Sequence, residues 1–429
     1  MKVLLVLPWH QKDRSYRNKF STWLSYAPTT LGTLAAIINH ARPDWTIDTI
    51  DEISQKINYD KKYDIVMLTL SSTVSKHGYE IADRFRELGT FVVIGGYHAK
   101  YNSEEVLNHA DSVVIGPAEY SIPKFINDYE QGKAQLVYEN VCVKGEDILP
   151  PDRSKISLKN YLKYPGLIAN PGCPNHCSYC AISDMWRNTS ARPVENVIEE
   201  IKTLKKKIVI FYDPNFFANR DYAISLMNAL IPLKIRWVCS AVINLGYDDE
   251  LLELAQKSGC NGVLIGFESF SQDSLKTAGK NFNEVARYKE LVANIKKYRI
   301  MVNGCFILGM DGDTKESLKA IPERVNEMGL NLARFSILTP TPGSELYKKL
   351  LSEGRILSTD WSEYTMHKSV YKPKNMTPEE LEEIYRWVWK ETYSYRNILK
   401  RVKRIPSKGI SAKFIGFGAN IGFKFLGME

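Results

Sequence analysis

The sequence predicts an α/β protein in three parts: a doubly wound parallel sheet, an incomplete barrel of βα units and a helical carboxyl-terminal extension. Three observations predict this. Short runs of Val, Ile and Leu alternate with amphipathic stretches through the first 130 residues, the alternation resumes near residue 166, and it ends before a long charged helix at residue 377. Because such apolar runs mark strands buried on both faces, both sheets are expected to be parallel.

Five strand candidates occupy the first region, and helical stretches such as Pro28–His40 separate several of them. Their sequences are KVLLVLP (Lys2–Pro8), WTIDTID, YDIVMLTLSS, TFVVIGG and DSVVIG. Strands in this order are typical of flavodoxin-like sheets, which bind ligands beyond the carboxyl ends of their strands. The segment Gly145–Lys155 interrupts the pattern with two prolines, which indicates a domain boundary.

Six βα units follow at spacings of roughly 25 to 40 residues, which favours an incomplete TIM-like barrel over an open sheet. The strand candidates are Gly166–Asn170, IVIFYD, IRWVCSAV, GVLIGFES, MVNGCFILG and LARFSILTP. The predicted parts are a Rossmann-like domain (1–145), a linker (146–165), a partial barrel (166–345) and an extension (346–429). Catalytic groups of such barrels lie on the loops after the strands.

Composition narrows the class of protein. The chain has 44% apolar and 25% charged residues, as ordinary globular proteins do, and a net charge of +8 spread along its length. This modest charge does not predict a nucleic-acid partner. No apolar run approaches the roughly 20 residues of a membrane-spanning helix, and MKVLLVLP is interpreted as a strand rather than a signal peptide. Seven cysteines, four of them isolated, favour a reducing cytoplasm.

The loop after the first barrel strand holds Cys173, Cys177 and Cys180 within eight residues. Three thiolates do not complete a four-coordinate site, so the alternatives are core cysteines, a zinc site that recruits His176, or a cluster short of one cysteine. In a [4Fe–4S] cube, three thiolates would leave one iron open to the amine and carboxylate of S-adenosylmethionine. Tyr179 could then lie against the adenine ring.

The C-x3-C-x2-C loop resembles that of the radical S-adenosylmethionine (radical SAM) superfamily, as do FYDPNFF, GVLIGFESFSQDSLK, NGCFILGMDGDT and SILTPTPGSELY. The resemblance implies a [4Fe–4S] cluster on the three cysteines. It also implies S-adenosylmethionine contacts from Tyr179, Asp213, Asn215, Ser240, Glu268, Ile307 and Thr339. Alternatively, Asp213 and Asn215 cap the next helix and Glu268 is an exposed strand-end acid. Cys239, Cys260 and Cys305 are expected to be core residues.

The amino-terminal region resembles the cobalamin-binding domain of cobalamin-dependent radical SAM enzymes, through YAPTTLGTLAAII, LTLSSTV and the segment IGGYHAK to SIPKFI. The resemblance implies cobalamin contacts from Ser71, Ser72, Thr73, Gly95, Gly96, His98, Gly116 and Glu119. Pro117 replaces the first glutamate of the family's GEAE element. The Asp-x-His-x-x-Gly motif is absent, so no protein histidine is expected below the cobalt. The alternative is a domain that binds nothing.

The resemblance implies an enzyme that cleaves S-adenosylmethionine to a 5′-deoxyadenosyl radical and abstracts hydrogen. Methyl transfer from methylcobalamin to an unactivated carbon of a small-molecule or lipid-like substrate then follows. Alternatives are oxidative cyclisation or ring rearrangement without methyl transfer, and a non-catalytic zinc or electron-transfer protein. We expect a monomer that receives electrons from an external donor such as flavodoxin or ferredoxin. No catalytic side chain is predicted.

The carboxyl-terminal tail carries seven basic residues and no acidic one between Lys400 and Lys424, with phenylalanines interleaved. Such a segment is typical of interfacial helices, so peripheral membrane contact is one hypothesis. Packing of the tail across the open side of the barrel is the other.

Overall fold

The computed structural model describes residues 1–9, 25–186, 189–405 and 410–427. The chain forms two compact units. The first comprises Met1–Gly166, Ala181–Pro193 and Thr359–Thr365, and the second comprises Leu167–Cys180, Val194–Ser358 and Met366–Glu429. The linear boundaries 1–145, 146–165, 166–345 and 346–429 stay a prediction.

The first unit is built on a six-stranded parallel sheet in the order β2-β1-β3-β4-β5-β6. Its strands are β1 (Lys2–Leu7), β2 (Thr46–Asp51), β3 (Ile65–Thr69), β4 (Phe91–Gly95), β5 (Ser112–Ile115) and β6 (Val137–Glu139). Neighbouring residues of a strand pack on opposite faces: Val3 lies in one apolar core and Leu4 in the other. The doubly wound sheet predicted from the apolar runs is confirmed. Strand β6 escaped prediction because it has only three residues, of which one is buried.

Helices cover the faces of this sheet. They are α1 (Thr30–Ala41), α2 (Ser75–Glu87), α3 (Tyr97–Tyr101), α4 (Ser103–Leu107) and α5 (Ala118–Glu130). The first unit also contains α6 (Ile182–Met185). The apolar faces of α1 and α2 supply buried residues such as Leu31, Ile38, Ile81 and Phe85. Both faces of the sheet are therefore excluded from water, as its solid apolar strands require.

The second unit contains six parallel strands that neighbour one another in chain order, from β7 to β12. They are β7 (Gly166–Leu167), β8 (Ile208–Phe211), β9 (Arg236–Ala241), β10 (Cys260–Glu268), β11 (Met301–Leu308) and β12 (Leu332–Ile337). Sequential order without a reversal is the arrangement of a βα barrel. Because β7 and β12 are the two edges, the barrel is incomplete, and the predicted fold class is confirmed.

The helices of the second unit connect and cover these strands. They are α7 (Val194–Leu204), α8 (Arg220–Leu230), α9 (Asp249–Ser258), α10 (Gln272–Thr277), α11 (Tyr288–Lys297), α12 (Lys315–Lys319), α13 (Ile321–Met328), α14 (Glu345–Ser352), α15 (Pro378–Thr392), α16 (Tyr395–Lys403) and α17 (Ile410–Gly427). Side-chain caps start several of them, and Thr377 forms a capping box with Glu380 at α15. No helix in the described ranges is long and apolar enough to cross a membrane.

The single long helix predicted after Thr377 is wrong, because two helices meet at Tyr393 and Ser394. Ser394 adopts an extended backbone at φ −60° and ψ 147°, which ends the helical run. The Tyr393 hydroxyl donates to the Ala333 carbonyl at 2.7 Å and accepts from the Ala333 amide at 3.0 Å. These bonds satisfy backbone groups of the edge strand β12, which would otherwise lack a ladder partner.

Candidate functional site

The three cysteines that follow β7 are partly exposed, and none forms a disulfide. The Cys180 amide donates to the Cys177 carbonyl at 2.9 Å and closes a turn. Backbone hydrogen bonds hold Ser178, within this turn, from two sides: its amide donates to the Ala278 carbonyl at 3.0 Å, and its carbonyl accepts from the Leu346 amide at 2.9 Å. The thiols therefore stand on a loop that neighbouring loops of the barrel fix in place.

Asp213, at the end of β8, fixes the start of the same loop. Its buried Oδ1 accepts from the amides of Ala169 at 2.8 Å and Asn170 at 2.9 Å, where the chain leaves β7. The alternative that Asp213 or Asn215 caps the next helix is wrong. The N-cap of α8 is Asn219, whose side chain accepts from the Tyr222 amide at 3.1 Å.

Glu268 ends β10 in a tight turn. Its φ of +65° is in the left-handed region, and the Ser269 amide donates across it to the Phe267 carbonyl at 2.9 Å. A non-glycine residue in such a turn is strained, and such strain concentrates at functional sites. The residue is buried, so the alternative of an exposed strand-end acid is wrong.

Lys280, which the sequence analysis missed, pairs with Glu268. Its Nζ lies 2.6 Å from Glu268 Oε1 and donates to the Gly266 carbonyl at 2.8 Å, and both charged side chains are buried. Burial raises the pKa of the Cys177 thiol, and the nearby Lys280 ammonium opposes that rise. Nothing in the local sequence TAGKNF predicts that its lysine is buried. The tertiary fold places this lysine beside the cysteine loop.

Two further missed residues tie down the end of β10. The Asn283 side chain donates to the carbonyls of Gly266 at 3.1 Å and Phe267 at 3.0 Å, and the Tyr288 hydroxyl donates to Phe267 at 3.0 Å. The pairing of β10 with β11 shifts register between Gly266 and Glu268, which leaves these carbonyls without ladder partners. The polar side chains satisfy them and thereby hold the turn at Glu268.

The segment GMDGDT folds into a turn organised by Asp313. This buried carboxylate accepts from the amides of Gly309 at 2.9 Å and Met310 at 3.0 Å. Burial raises the pKa of Asp313 to about 6, although both amides favour the ionised form. Asp313 therefore shapes the loop after β11 rather than pointing a free carboxylate into the site.

The residues predicted to contact S-adenosylmethionine lie at the carboxyl-terminal ends of all six barrel strands. Ser240 and Ile307 are half-buried in β9 and β11, and Thr339 follows β12, where its hydroxyl donates to the Ile337 carbonyl at 3.1 Å. Asn215 is buried, and its Oδ1 has no hydrogen-bond partner among the described residues. A buried unpartnered acceptor at this end of the barrel suits a ligand donor.

A cavity of about 280 Å³ lies beside the cysteine loop. Its lining includes Ser178, Tyr179, Ala278, Met310, Leu338 and Leu346. Burial raises the pKa of Tyr179, whose phenol therefore stays protonated. The cavity combines an aromatic ring and aliphatic side chains with a few polar groups, which is the usual make-up of a small-molecule site.

The donor set around the loop fits an iron–sulfur cluster. Among the described residues, no three His, Cys, Asp or Glu side chains are close enough to hold a single metal ion. A cube-shaped cluster does not need such a group, because each thiolate binds a different iron. Three partly exposed thiols, none of them in a disulfide, meet that requirement on one anchored loop.

The residues predicted to contact cobalamin follow three adjacent strands at one edge of the first sheet. Ser71, Ser72 and Thr73 follow β3, Gly95, Gly96 and His98 lie at the end of β4 and in the first turn after it, and Gly116 and Glu119 follow β5. Buried Glu119 has an Oε2 without a partner in the described part of the chain, and burial raises its pKa. An acceptor without a partner and the exposed Ser71, both after strands at the same end of this sheet, fit an amide-rich ligand there.

The glycines and the histidine of this edge serve the protein's own packing. A Cβ on Gly96 would lie 2.6 Å from the Leu70 carbonyl, and one on Gly116 would lie 1.8 Å from that of Asn140. His98 is fully buried, with Nε2 2.7 Å from the Tyr79 hydroxyl and Nδ1 3.2 Å from Ser72 Oγ. Burial lowers the pKa of His98, so the ring is neutral. These contacts occupy both ring nitrogens of His98, and its expected contact with cobalamin stays a prediction.

Comparison with known proteins assigns the family. The Radical SAM superfamily matches residues 167–325. The chain is 30% identical over 356 residues to the bacteriochlorophyllide d C-12(1)-methyltransferase of Chlorobaculum tepidum, which covers 80% of this chain and 78% of that relative. The chain belongs to the cobalamin-dependent radical SAM enzymes. The predicted family, enzymatic nature and reaction class are thereby confirmed, and the zinc-binding and electron-transfer alternatives are set aside.

Two other comparisons place the enzyme among its relatives. TsrM, the radical S-adenosylmethionine methyltransferase of Kitasatospora setae solved with cobalamin and a [4Fe–4S] cluster, shares its fold with a TM-score of 0.71 at 14% identity, over 91% of this chain and 88% of that one. The anaerobic magnesium-protoporphyrin IX monomethyl ester cyclase of Cereibacter sphaeroides is 26% identical over 377 residues, 76% of this chain and 61% of that relative. Methyltransferases and a cyclase therefore both occur among the relatives of this enzyme.

Proposed function

We propose that this enzyme transfers a methyl group to an unactivated carbon of a tetrapyrrole-like substrate. The observation that carries the proposal is the similarity to a bacteriochlorophyllide methyltransferase over most of both chains. Cyclisation of a tetrapyrrole side chain is the second candidate, since a protoporphyrin ester cyclase is also similar. Both candidates need the same radical-generating site and differ in the fate of the substrate radical.

Cys173, Cys177 and Cys180 hold the [4Fe–4S] cluster in this proposal, and the edge formed after β3, β4 and β5 holds cobalamin. When bound, these groups supply a low-potential electron that cleaves S-adenosylmethionine and a methyl group for transfer, and the protein positions the reactants. The anchored loop gives the cluster a defined place, since Asp213, Ala278 and Leu346 hold the backbone around it.

The chain's own residues bind and orient S-adenosylmethionine. Lys280 is a buried cation near Cys177, which suits the carboxylate of the methionine end. Glu268 lies on a turn fixed by Asn283 and Tyr288, and its free lone pairs suit ribose hydroxyls. The cavity lined by Tyr179 suits the adenine ring. Fixing all three parts of one ligand holds the reacting carbon in a single place.

An external one-electron donor is part of the proposal. The three thiols are partly exposed, so the cluster they hold lies near the protein surface. The net charge of +8 favours an acidic carrier such as flavodoxin or ferredoxin. We propose that the enzyme works with such a carrier in the cytoplasm, as a monomer.

The test is incubation of anaerobically reconstituted enzyme with reductant, cobalamin, a bacteriochlorophyllide and S-adenosylmethionine labelled in its methyl group. The expected result is 5′-deoxyadenosine together with labelled substrate. The Cys177→Ser variant, as control, should give neither. A substrate that loses hydrogen without gaining label would favour the cyclase candidate. The absence of 5′-deoxyadenosine from loaded enzyme would refute both.

A further inference from the structure

Two helices of the extension, α16 and α17, form an antiparallel hairpin. Lys424 Nζ lies 3.6 Å from the centre of the Tyr395 ring, and Arg401 Nε donates to Asn420 Oδ1 at 3.0 Å. Gly416 packs against Ile405, where a Cβ would lie 2.0 Å from the isoleucine side chain. The carboxyl-terminal part of α17 thus packs against the amino-terminal part of α16, and one face of each helix is buried in this contact.

The inner face of α17 is anchored to the barrel. Asn420 is buried and donates to the Asn331 carbonyl at 3.2 Å, just before β12. The Phe423 ring lies 5.9 Å from that of Tyr393 and 5.5 Å from the Arg334 guanidinium. These contacts determine the rotation of α17 about its axis, so the residues of its opposite face must point away from the barrel.

That outer face carries a stripe of apolar side chains. Phe414, Phe417 and Phe425 follow helical spacing and share one side of α17. The exposed fractions of the phenylalanines are 71%, 37% and 47%, in sequence order. The neighbouring helix α16 adds Tyr395, 63% exposed, and Leu399, 52% exposed. Clustered large apolar side chains in water mark an interaction surface.

The charge around the stripe has a single sign. From Tyr393 to Met428 the sequence has eight Lys and Arg and no Asp or Glu. Arg396, Lys400 and Lys403 of α16 and Lys413 of α17 are exposed, and Lys424 is half-buried beside Tyr395. Two such cationic surfaces would repel each other, so a second copy of the chain is a poor occupant. An anionic lipid surface matches both the charge and the aromatic side chains.

We propose that the α16–α17 hairpin docks the enzyme on an anionic lipid bilayer, with Phe414, Phe417 and Phe425 in the headgroup region and the lysines against lipid phosphates. The hairpin lies on the membrane and does not cross it. The proposal does not depend on methyl transfer, since it rests on the outer surface of the extension. As a consequence, the enzyme would encounter an apolar substrate at the membrane into which that substrate partitions.

The test is flotation of the full-length protein with vesicles of phosphatidylcholine alone or mixed with phosphatidylglycerol. We expect binding to the mixed vesicles that weakens as salt rises. The variant Phe414→Ser/Phe417→Ser/Phe425→Ser should bind roughly a hundredfold more weakly. The matched control Leu88→Ser/Leu136→Ser/Val141→Ser removes three exposed apolar side chains from the first unit and should bind as the wild type does. Replacing Lys413 with Gln should weaken binding roughly fivefold.

Several outcomes would overturn the proposal. One is wild-type protein that stays unbound with both kinds of vesicle, or that binds both equally. Another is equal binding by the stripe variant and the control variant. A concentration-dependent dimer that disappears in the stripe variant would show that a second copy covers the stripe. Because flotation needs neither substrate nor turnover, its failure is distinguishable from failure of the proposed methyl transfer.

Discussion

Replacing Lys280 with Met should destabilise the second unit more than any loss of a surface ion pair. The side chains of Lys280 and Glu268 are only 6% and 11% exposed, and their charged atoms are 2.6 Å apart. The Lys280→Met variant keeps the volume of the side chain but leaves the Glu268 carboxylate buried without its cation. Breaking a buried pair in this way costs about 3 kcal/mol or more. For a unit of this size that is a fall in melting temperature of roughly 6 to 12 °C.

The matched control is Lys257→Met on α9. Lys257 also lies 2.6 Å from a carboxylate, that of Glu253, but these side chains are 61% and 56% exposed. Water and salt screen such a pair, so its loss should cost about 0.5 kcal/mol or less. The double variant Lys280→Met/Glu268→Gln removes both buried charges and should recover most of the lost stability.

Thermal denaturation under anaerobic conditions measures these differences, and equilibrium binding of S-adenosylmethionine is the second readout. We expect Lys280→Met to weaken binding at least tenfold even at temperatures where the variant is folded, since the cofactor's carboxylate loses its partner. A melting temperature within the range of the Lys257→Met control would refute the buried pair. A double variant at least as unstable as Lys280→Met alone would refute the coupling of Lys280 with Glu268.

Three other substitutions test the supports of the site. Burial raises the pKa of Asp313 to about 6, so the stability of the wild type falls as pH rises from about 4 towards 7. Over that range the stability of Asp313→Asn should increase by about 3 kcal/mol relative to that of the wild type. Thermal denaturation at each pH measures this difference. Gly279 has a φ of +72°, and a Cβ added there would lie 2.8 Å from the His176 carbonyl, so Gly279→Ala should lower the amounts of iron and sulfide bound per chain. The control Gly354→Ala, at a φ of +64° with open space around the added Cβ, should leave both amounts unchanged. Asp213→Ala removes the acceptor of two buried amides and should destabilise the loop by about 2 kcal/mol and lower cluster content, while Asp213→Asn should retain more of the cluster.

Each of these expectations has a clear contrary result. A stability difference between Asp313→Asn and the wild type that ignores pH would mean that the carboxyl titrates normally. Full cluster content in Gly279→Ala would mean that the loop tolerates a side chain there. Equal iron in Asp213→Ala and the wild type would remove Asp213 from the support of the cysteine loop.

Local patterns predicted most of the architecture. The apolar runs of both sheets became strands within three residues of their expected ends, because a strand buried on both faces must be apolar along its length. The failures were also local: β6 has three residues and a single buried one, and the helix expected after Thr377 is interrupted at Tyr393. In the second case the helix propensity of the sequence favoured a continuous helix. The helix is interrupted where the Tyr393 hydroxyl bonds to backbone groups of the edge strand β12.

Some residues of the candidate site were likewise predicted from local sequence patterns, and others were not. The three cysteines are close in sequence, so their spacing alone indicated the cluster. The role of Asp213 was not visible, because its partners lie 44 and 43 residues earlier in the chain. His98 followed a glycine pair that resembled a ligand edge, and only the fold showed that Tyr79 and Ser72 occupy its ring nitrogens.

The sequence by itself determined the two parallel-sheet regions, the cysteine loop and the cationic, phenylalanine-rich tail, because each is written in a short or periodic pattern. The tertiary structure decided that Lys280 neutralises Glu268, that Asp213 anchors the cysteine loop and that three of the four phenylalanines of α17 are exposed. The physical reason is that burial of apolar side chains follows local periodicity, whereas buried charges and amides must find partners among residues that the fold alone brings together.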